Sequence, residues 1–160
     1  MYLQFLTGKV GYMIEADDIA MQSAFITIKK TMDGGVTWNK VSSQDCKLSS
    51  DFTFIDEKVG FMNRPINGGA ESELYYTNDG GVTYNRVVVK EGVLDKNSST
   101  YVDGLSWSKV YDYYNIPVYE NGILSLEISQ GSDGDYNGGT VAKYISKDMG
   151  VTWEFVEESK

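Results

Sequence analysis

Histidine is absent from this 160-residue chain, cysteine occurs once, and proline and arginine occur twice each. Without histidine there is no imidazole base, no triad built on one, and little choice of zinc ligands. Cys46 alone closes no internal disulfide, so no disulfide framework holds the fold. No apolar run approaches the ~18 residues of a membrane-spanning helix. The opening Met1-Tyr2-Leu3-Gln4-Phe5 enters patterned sequence at once, without the basic stretch and apolar core of a leader, which predicts no signal peptide in the chain. Positive charge is scarce as well. Fourteen Lys and Arg stand against 23 Asp and Glu, and the net charge of −9 disfavours phosphate tracking along nucleic acid and adhesion to anionic membrane. Yet 41% of the residues are hydrophobic and 13% aromatic, too apolar for a disordered acidic tail. A single domain spanning 1–160 is expected, since domains mostly run to roughly 100–200 residues.

What the chain does have is repetition. Three windows align: Thr31-Met32-Asp33-Gly34-Gly35-Val36-Thr37-Trp38, Thr77-Asn78-Asp79-Gly80-Gly81-Val82-Thr83-Tyr84 and Ser146-Lys147-Asp148-Met149-Gly150-Val151-Thr152-Trp153. A second phrase precedes the first two, Phe5-Leu6-Thr7-Gly8-Lys9-Val10-Gly11-Tyr12-Met13 matching Phe54-Ile55-Asp56-Glu57-Lys58-Val59-Gly60-Phe61-Met62. Asp33 and Asp79 lie 46 residues apart and Asp148 follows after 69, so the third unit carries an insertion. The units cover approximately 1–50, 51–95 and 96–160.

Each unit reads as four short strands rich in Val, Ile, Thr, Tyr and Phe between Gly, Asn, Asp and Ser clusters. The spacing predicts Tyr2–Thr7, Val10–Glu15, Phe25–Thr31 and Val36–Val41 in unit one. In unit two it predicts Phe52–Asp56, Val59–Asn63, Glu73–Thr77 and Val82–Val89, and in unit three Ser108–Tyr113, Ile123–Ser129, Thr140–Ser146 and Val151–Glu157. No window carries a sustained 3.6-residue apolar stripe. The expected class is all-β, and four strands every ~45–50 residues point to a β-propeller segment of about three four-stranded antiparallel blades. In the aligned windows, Asp33, Asp79 and Asp148 are placed to accept hydrogen bonds from their own turns. Gly35, Gly81 and Gly150 supply positive φ, and Trp38, Tyr84 and Trp153 each lay an apolar face over the hairpin. These nine residues are structural candidates.

The windows resemble the Asp-box, or bacterial neuraminidase repeat, with its Ser/Thr-x-Asp-x-Gly-x-Thr-Trp pattern. The phrase at Phe54–Phe61 looks like non-sialidase propellers of the photosystem II assembly factor type. The resemblance covers almost the whole chain and implies a fold element rather than an activity, since such boxes occur in sialidases, other glycosidases, sorting receptors and assembly factors. Tyr84 replaces Trp in the second box and Met149 replaces Gly in the third. A propeller closes with about 4–8 blades, so three blades imply a piece of a longer ring, two copies completing one, or a covered open arc.

Sialidase relatives grip a substrate carboxylate with three arginines; this chain has only Arg64 and Arg86, so a complete site of that kind is excluded. Paired carboxylates for glycoside hydrolysis find no distinctive pattern among Asp17, Asp18, Asp56, Glu57, Asp133 and Asp135, which are expected in loops. Asp133-Gly134-Asp135-Tyr136-Asn137-Gly138 opens like a calcium loop, but Val141 and Tyr144 stand where later ligands belong, leaving a weak Ca2+ site or a Gly-rich hairpin loop as alternatives. In a propeller, the second-to-third-strand loops (Ala16–Ala24, Arg64–Ser72 and Gln130–Gly139) and the linkers (Ser42–Asp51 and Lys90–Trp107) share the face opposite the boxes. Ligand candidates on that acidic, aromatic-rich face are Asp17, Asp18, Arg64, Asn67, Trp107, Tyr113 and Tyr114. The expected function is a non-catalytic binding or assembly module for a glycan or protein partner, with no nucleic acid and no membrane insertion. The alternative is part of a secreted carbohydrate-active propeller whose catalytic groups lie partly outside this chain. Relatives of this kind are often exported, which points to a secreted or cell-surface setting.

Overall fold

The computed structural model describes residues 1–20, 23–47, 50–92, 94, 104–131 and 139–159. The described chain is all-β and forms three antiparallel sheets. The first runs β1 (Tyr2–Phe5), β2 (Gly11–Ala20), β3 (Ser23–Thr31) and β4 (Asn39–Lys47). The second runs β5 (Asp51–Phe54), β6 (Gly60–Ile66), β7 (Glu71–Thr77) and β8 (Asn85–Arg86), with a 3-10 turn at Asn67–Gly69. Helix α1 (Trp107–Val110) and β9 (Tyr113–Tyr114) precede the third, β10 (Val118–Glu120), β11 (Ile123–Ser129), β12 (Val141–Ser146) and β13 (Glu154–Ser159). Strand β9 also pairs with β11. Apart from β9, which lies on β11 and not on β10, chain neighbours are sheet neighbours in every sheet.

The repeated phrase has a direct structural meaning. Phe5 stands opposite Gly11 and Phe54 opposite Gly60 across the first hairpin of each sheet. A Cβ on Gly11 would meet the Phe5 ring at 2.8 Å, and one on Gly60 would meet the Phe54 ring at 2.7 Å. Glycine is required there because an aromatic ring occupies the side-chain position. The hairpin turns also match. The Thr7 hydroxyl accepts the Val10 N–H at 3.0 Å, and the Asp56 carboxylate accepts the Val59 N–H at 2.7 Å, each side chain replacing a backbone acceptor. The third sheet uses another device. Asn121 and Gly122, with φ of 52° and 83°, form the two-residue turn whose left-handed pair suits strand twist.

Several strands depart from their expected bounds. β2 continues to Ala20, so Asp17 and Asp18 lie in a strand and not in a loop; a bulge between Ala16 and Asp18 absorbs the extra residue. β4 continues to Lys47 through most of the expected linker, and β6 reaches Ile66, while β8 is reduced to Asn85–Arg86. Of the expected strand Ser108–Tyr113, only Tyr113 lies in a strand, as the first residue of β9. Trp107 and Val110 are both buried, and their i, i+3 spacing is met by one helical turn; β10 heads the strand order of the third sheet, with β9 set on β11. Along β11 the period is two, with Leu124, Leu126 and Ile128 buried between exposed Ile123, Ser125 and Glu127.

Two compact units result, one of residues 1–64 and 75–86, the other of 65–74 and 87–160. The core of the first unit gathers Tyr12, Ile14, Ala24, Ile26, Ile28, Cys46, Phe54 and Met62. Tyr12 stacks flat on Phe54, with ring centroids 3.5 Å apart, and its hydroxyl donates to the Glu57 carbonyl at 2.8 Å. The Gln4 side-chain amide accepts the Phe54 N–H at 2.8 Å and donates to the Phe54 carbonyl at 2.9 Å, tying β1 to β5. In the second unit, Leu124, Leu126, Ile128, Ala142 and Tyr144 form the buried row, and Tyr144 donates to the Lys90 carbonyl at 3.0 Å.

Candidate functional site

The aspartate turns join the third and fourth strands of the three sheets, and their side chains form one repeated network. Thr31 donates to one oxygen of Asp33 at 2.8 Å and accepts the Gly35 N–H at 2.9 Å; the Thr37 N–H meets the same aspartate oxygen at 2.9 Å, and the Thr37 hydroxyl meets the other at 2.6 Å. Thr77, Asp79, Gly81 and Thr83 repeat this pattern, as do Ser146, Asp148, Gly150 and Thr152. The hydroxyl and N–H of Thr37 hold Asp33 down to about 2, and those of Thr152 do the same for Asp148. Burial pulls Asp79 the other way but is outweighed by the Thr83 bonds, so it too is lowered. Carboxylates kept ionised and saturated by their own turns do not serve as general acids.

The sequence-derived ligand candidates divide between the two units. In the first, Asp17 is exposed and accepts a short hydrogen bond from the Thr27 hydroxyl, which also contacts Ser43 at 2.8 Å. Asp18 pairs with Phe25 in the strand register. The Arg64 guanidinium stands over the Tyr75 ring at 5.0 Å. In the second unit, Asn67 opens the 3-10 turn at φ 49° and donates to Glu71 at 3.0 Å. Tyr113 and Tyr114 are half-buried, and the backbone of Tyr114 is held by Ser72. Trp107 departs furthest from expectation. It is only 4% exposed, with Tyr111 at 4.5 Å and Phe155 edge-on at 5.4 Å, so it is a core residue and not a stacking platform. The calcium candidates Asp133, Asp135 and Asn137 lie outside the described residues. Among the described residues no three acidic or Cys side chains converge as a metal site, and no helix is long and apolar enough to cross a membrane.

A concave site does exist in the first unit, at the strand ends remote from the aspartate turns. It is a half-open cleft of about 400 Å³, within the range of small-ligand sites. Its sheet-one wall is Ile14 and Ala16 of β2 with Ala24 and Ile26 of β3; Phe52 of β5 and Tyr2 of β1 form an aromatic side, with rings 5.9 Å apart and tilted by 48°. Lys47, Ser50 and Asp51 place polar groups together in the lining. Burial raises the Tyr2 phenol to about 12, and Tyr2 donates to Gln4 at 2.5 Å, which keeps the ring neutral and fixed. Burial also pushes up the Cys46 thiol, which lies 3.5 Å from the Met62 sulfur, making an inert packing residue. Sequence reasoning named none of these residues as ligand candidates, although Ala16, Ala24, Lys47, Ser50 and Asp51 fall within the segments Ala16–Ala24 and Ser42–Asp51 that it assigned to the binding face. The available signal was Ala16 and Ala24, small residues beside Ile14 and Ile26 in otherwise bulky strands.

No protein-family model matches the chain, and no curated protein matches it.

Proposed function

We propose that the chain is an Asp-box β-propeller segment, each sheet a blade, and that it acts as a non-catalytic module binding a protein partner through the cleft. The propeller reading is supported by three matching aspartate turns and by bulges at Ile28/Lys29 and Lys143/Tyr144, each at the same distance before its turn. The observation that carries the function is the cleft, with both apolar and polar lining, at the sheet end opposite those turns. An apolar side chain from a partner buries its surface there, while Lys47, Ser50 and Asp51 meet the adjoining main chain. A glycan is less favoured because Trp107, one of the aromatic residues expected to stack on a sugar, is interior.

The test is panning of a displayed heptapeptide library against the wild-type chain and an Ala16→Trp variant. Ala16 is exposed at the cleft, so a bulky side chain there blocks the space while remaining compatible with a strand. Peptides retained by wild type and released by the variant are expected, with equal thermal midpoints for the two proteins. Equal retention on both proteins, or no retained peptide, overturns the reading.

A further inference from the structure

Ile14 and Ile26 face the core and the cleft, so Leu3, Phe5, Met13, Glu15 and Lys29 stand on the opposite face of sheet one. In the repeat, Leu3, Phe5, Met13 and Trp38 occupy the places of Phe52, Phe54, Met62 and Tyr84. Those four residues of sheet two are covered: Phe54 and Met62 belong to the core cluster built on sheet one, and Phe52 and Tyr84 pack against it. Their counterparts are displayed. Leu3 is 51% and Phe5 45% exposed on the edge strand β1, with Met13 and Trp38 half-buried beside them. The same face carries a charge pair. Leu3, Met13 and Lys29 form one row across β1, β2 and β3, and Glu15 follows Met13 along β2. Lys29 donates to one oxygen of Glu15 at 2.5 Å; the other oxygen and the remaining ammonium hydrogens have no partner among the described residues.

We infer that this face, independently of the cleft, is where a second copy of the chain docks, sheet one against sheet one about a two-fold axis. A face bearing one acid and one base beside an apolar row is complementary to itself, as an isologous contact requires. With the axis running diagonally past Met13, the strands of the two copies cross at about 90°, one of the two preferred sheet packings. Glu15 of each copy then falls beside Lys29 of the other, Phe5 beside Phe5, and Leu3 over Gly11, which projects no side chain. Sheet three offers no such match for a head-to-tail contact. A row of Glu127, Lys143 and Glu157 crosses it, Lys143 is engaged by Glu157 at 3.8 Å, and Ser125 and Glu127 are exposed along β11, a face suited to water. One sheet face is small for a specific interface, so association in the micromolar range is expected.

Sedimentation equilibrium of the full chain over a concentration series is expected to show monomer and dimer and no larger species, because a two-fold contact closes on itself. Leu3→Lys, a charge on an exposed edge position, is expected to weaken the dimer roughly 10-fold or more while the far-UV circular dichroism stays that of wild type. Glu15→Lys and Lys29→Glu are each expected to weaken self-association several-fold, since each places like charges across the axis. Mixing these two variants is expected to restore a dimer, now mixed, which a role confined to one copy cannot produce. Glu127→Lys, on sheet three, is expected to leave association unchanged. A wild-type chain that stays monomeric throughout overturns the inference, as does a dimer indifferent to Leu3→Lys. Failure of the mixed charge variants to recover association overturns it too. Larger species, or a dimer lost with Glu127→Lys, places the contact on another surface and likewise overturns it. None of these outcomes bears on the cleft.

Discussion

Met149 holds φ at 60° in a turn where the first two repeats place Gly34 and Gly80, at 77° and 75°. A left-handed non-glycine residue costs about 1–2 kcal/mol. Glycine returns part of that gain through the greater freedom of the unfolded chain. Met149→Gly is therefore expected to stabilise the protein by about 0.5–1 kcal/mol, read as a higher denaturant midpoint at unchanged slope. The aspartates of the same turns set an acid limit. With Asp33 and Asp148 at about 2 in the folded chain against an ordinary 3.8, the unfolded chain takes up protons first. Their contribution is complete above about pH 4 and disappears as the pH falls towards about 2. A thermal midpoint that drops across this window in wild type, and drops less in Asp33→Asn and Asp148→Asn, is the expected result.

Among the elements, the first hairpins of sheets one and two carry the same phrase in different surroundings. Phe5 is 45% exposed and meets Trp38 edge-on at 6.0 Å, whereas Phe54 is 2% exposed beneath Tyr12. A new methyl at Gly11 can displace the Phe5 ring outward, but one at Gly60 presses on a ring with nowhere to move. Gly60→Ala is accordingly expected to cost about 1–3 kcal/mol and Gly11→Ala distinctly less; urea unfolding of the two variants measures the difference. Strand identity was legible wherever bulky and polar residues alternated. Bounds were lost where a bulge interrupted the alternation, as at Ala16–Asp18, because a bulge mimics the end of a strand. The Asn121-Gly122 turn was a readable hairpin signal that the longer aromatic segment before it obscured.

At the scale of the whole molecule, the separation into two units changes the meaning of Trp107. It belongs to the core of the second unit, so Trp107→Ala is expected to destabilise by about 3–5 kcal/mol, seen as a large fall in denaturant midpoint, and not merely to weaken a ligand. The repeat, the all-β class and the aspartate turns depend on residues adjacent in sequence: a carboxylate at Asp33 reaches Thr31, Gly35 and Thr37 whatever lies beyond the turn. Sequence alone was sufficient for those features. The cleft depends on β2, β3, β4 and β5 arriving together and on two alanines failing to fill the space between larger neighbours. Which aromatic residues are enclosed, as Trp107 and Phe54 are, and which are only half-buried or exposed, as Phe52 and Phe5 are, was likewise decided only by packing, because burial is a property of what faces a side chain and the chain order does not contain it.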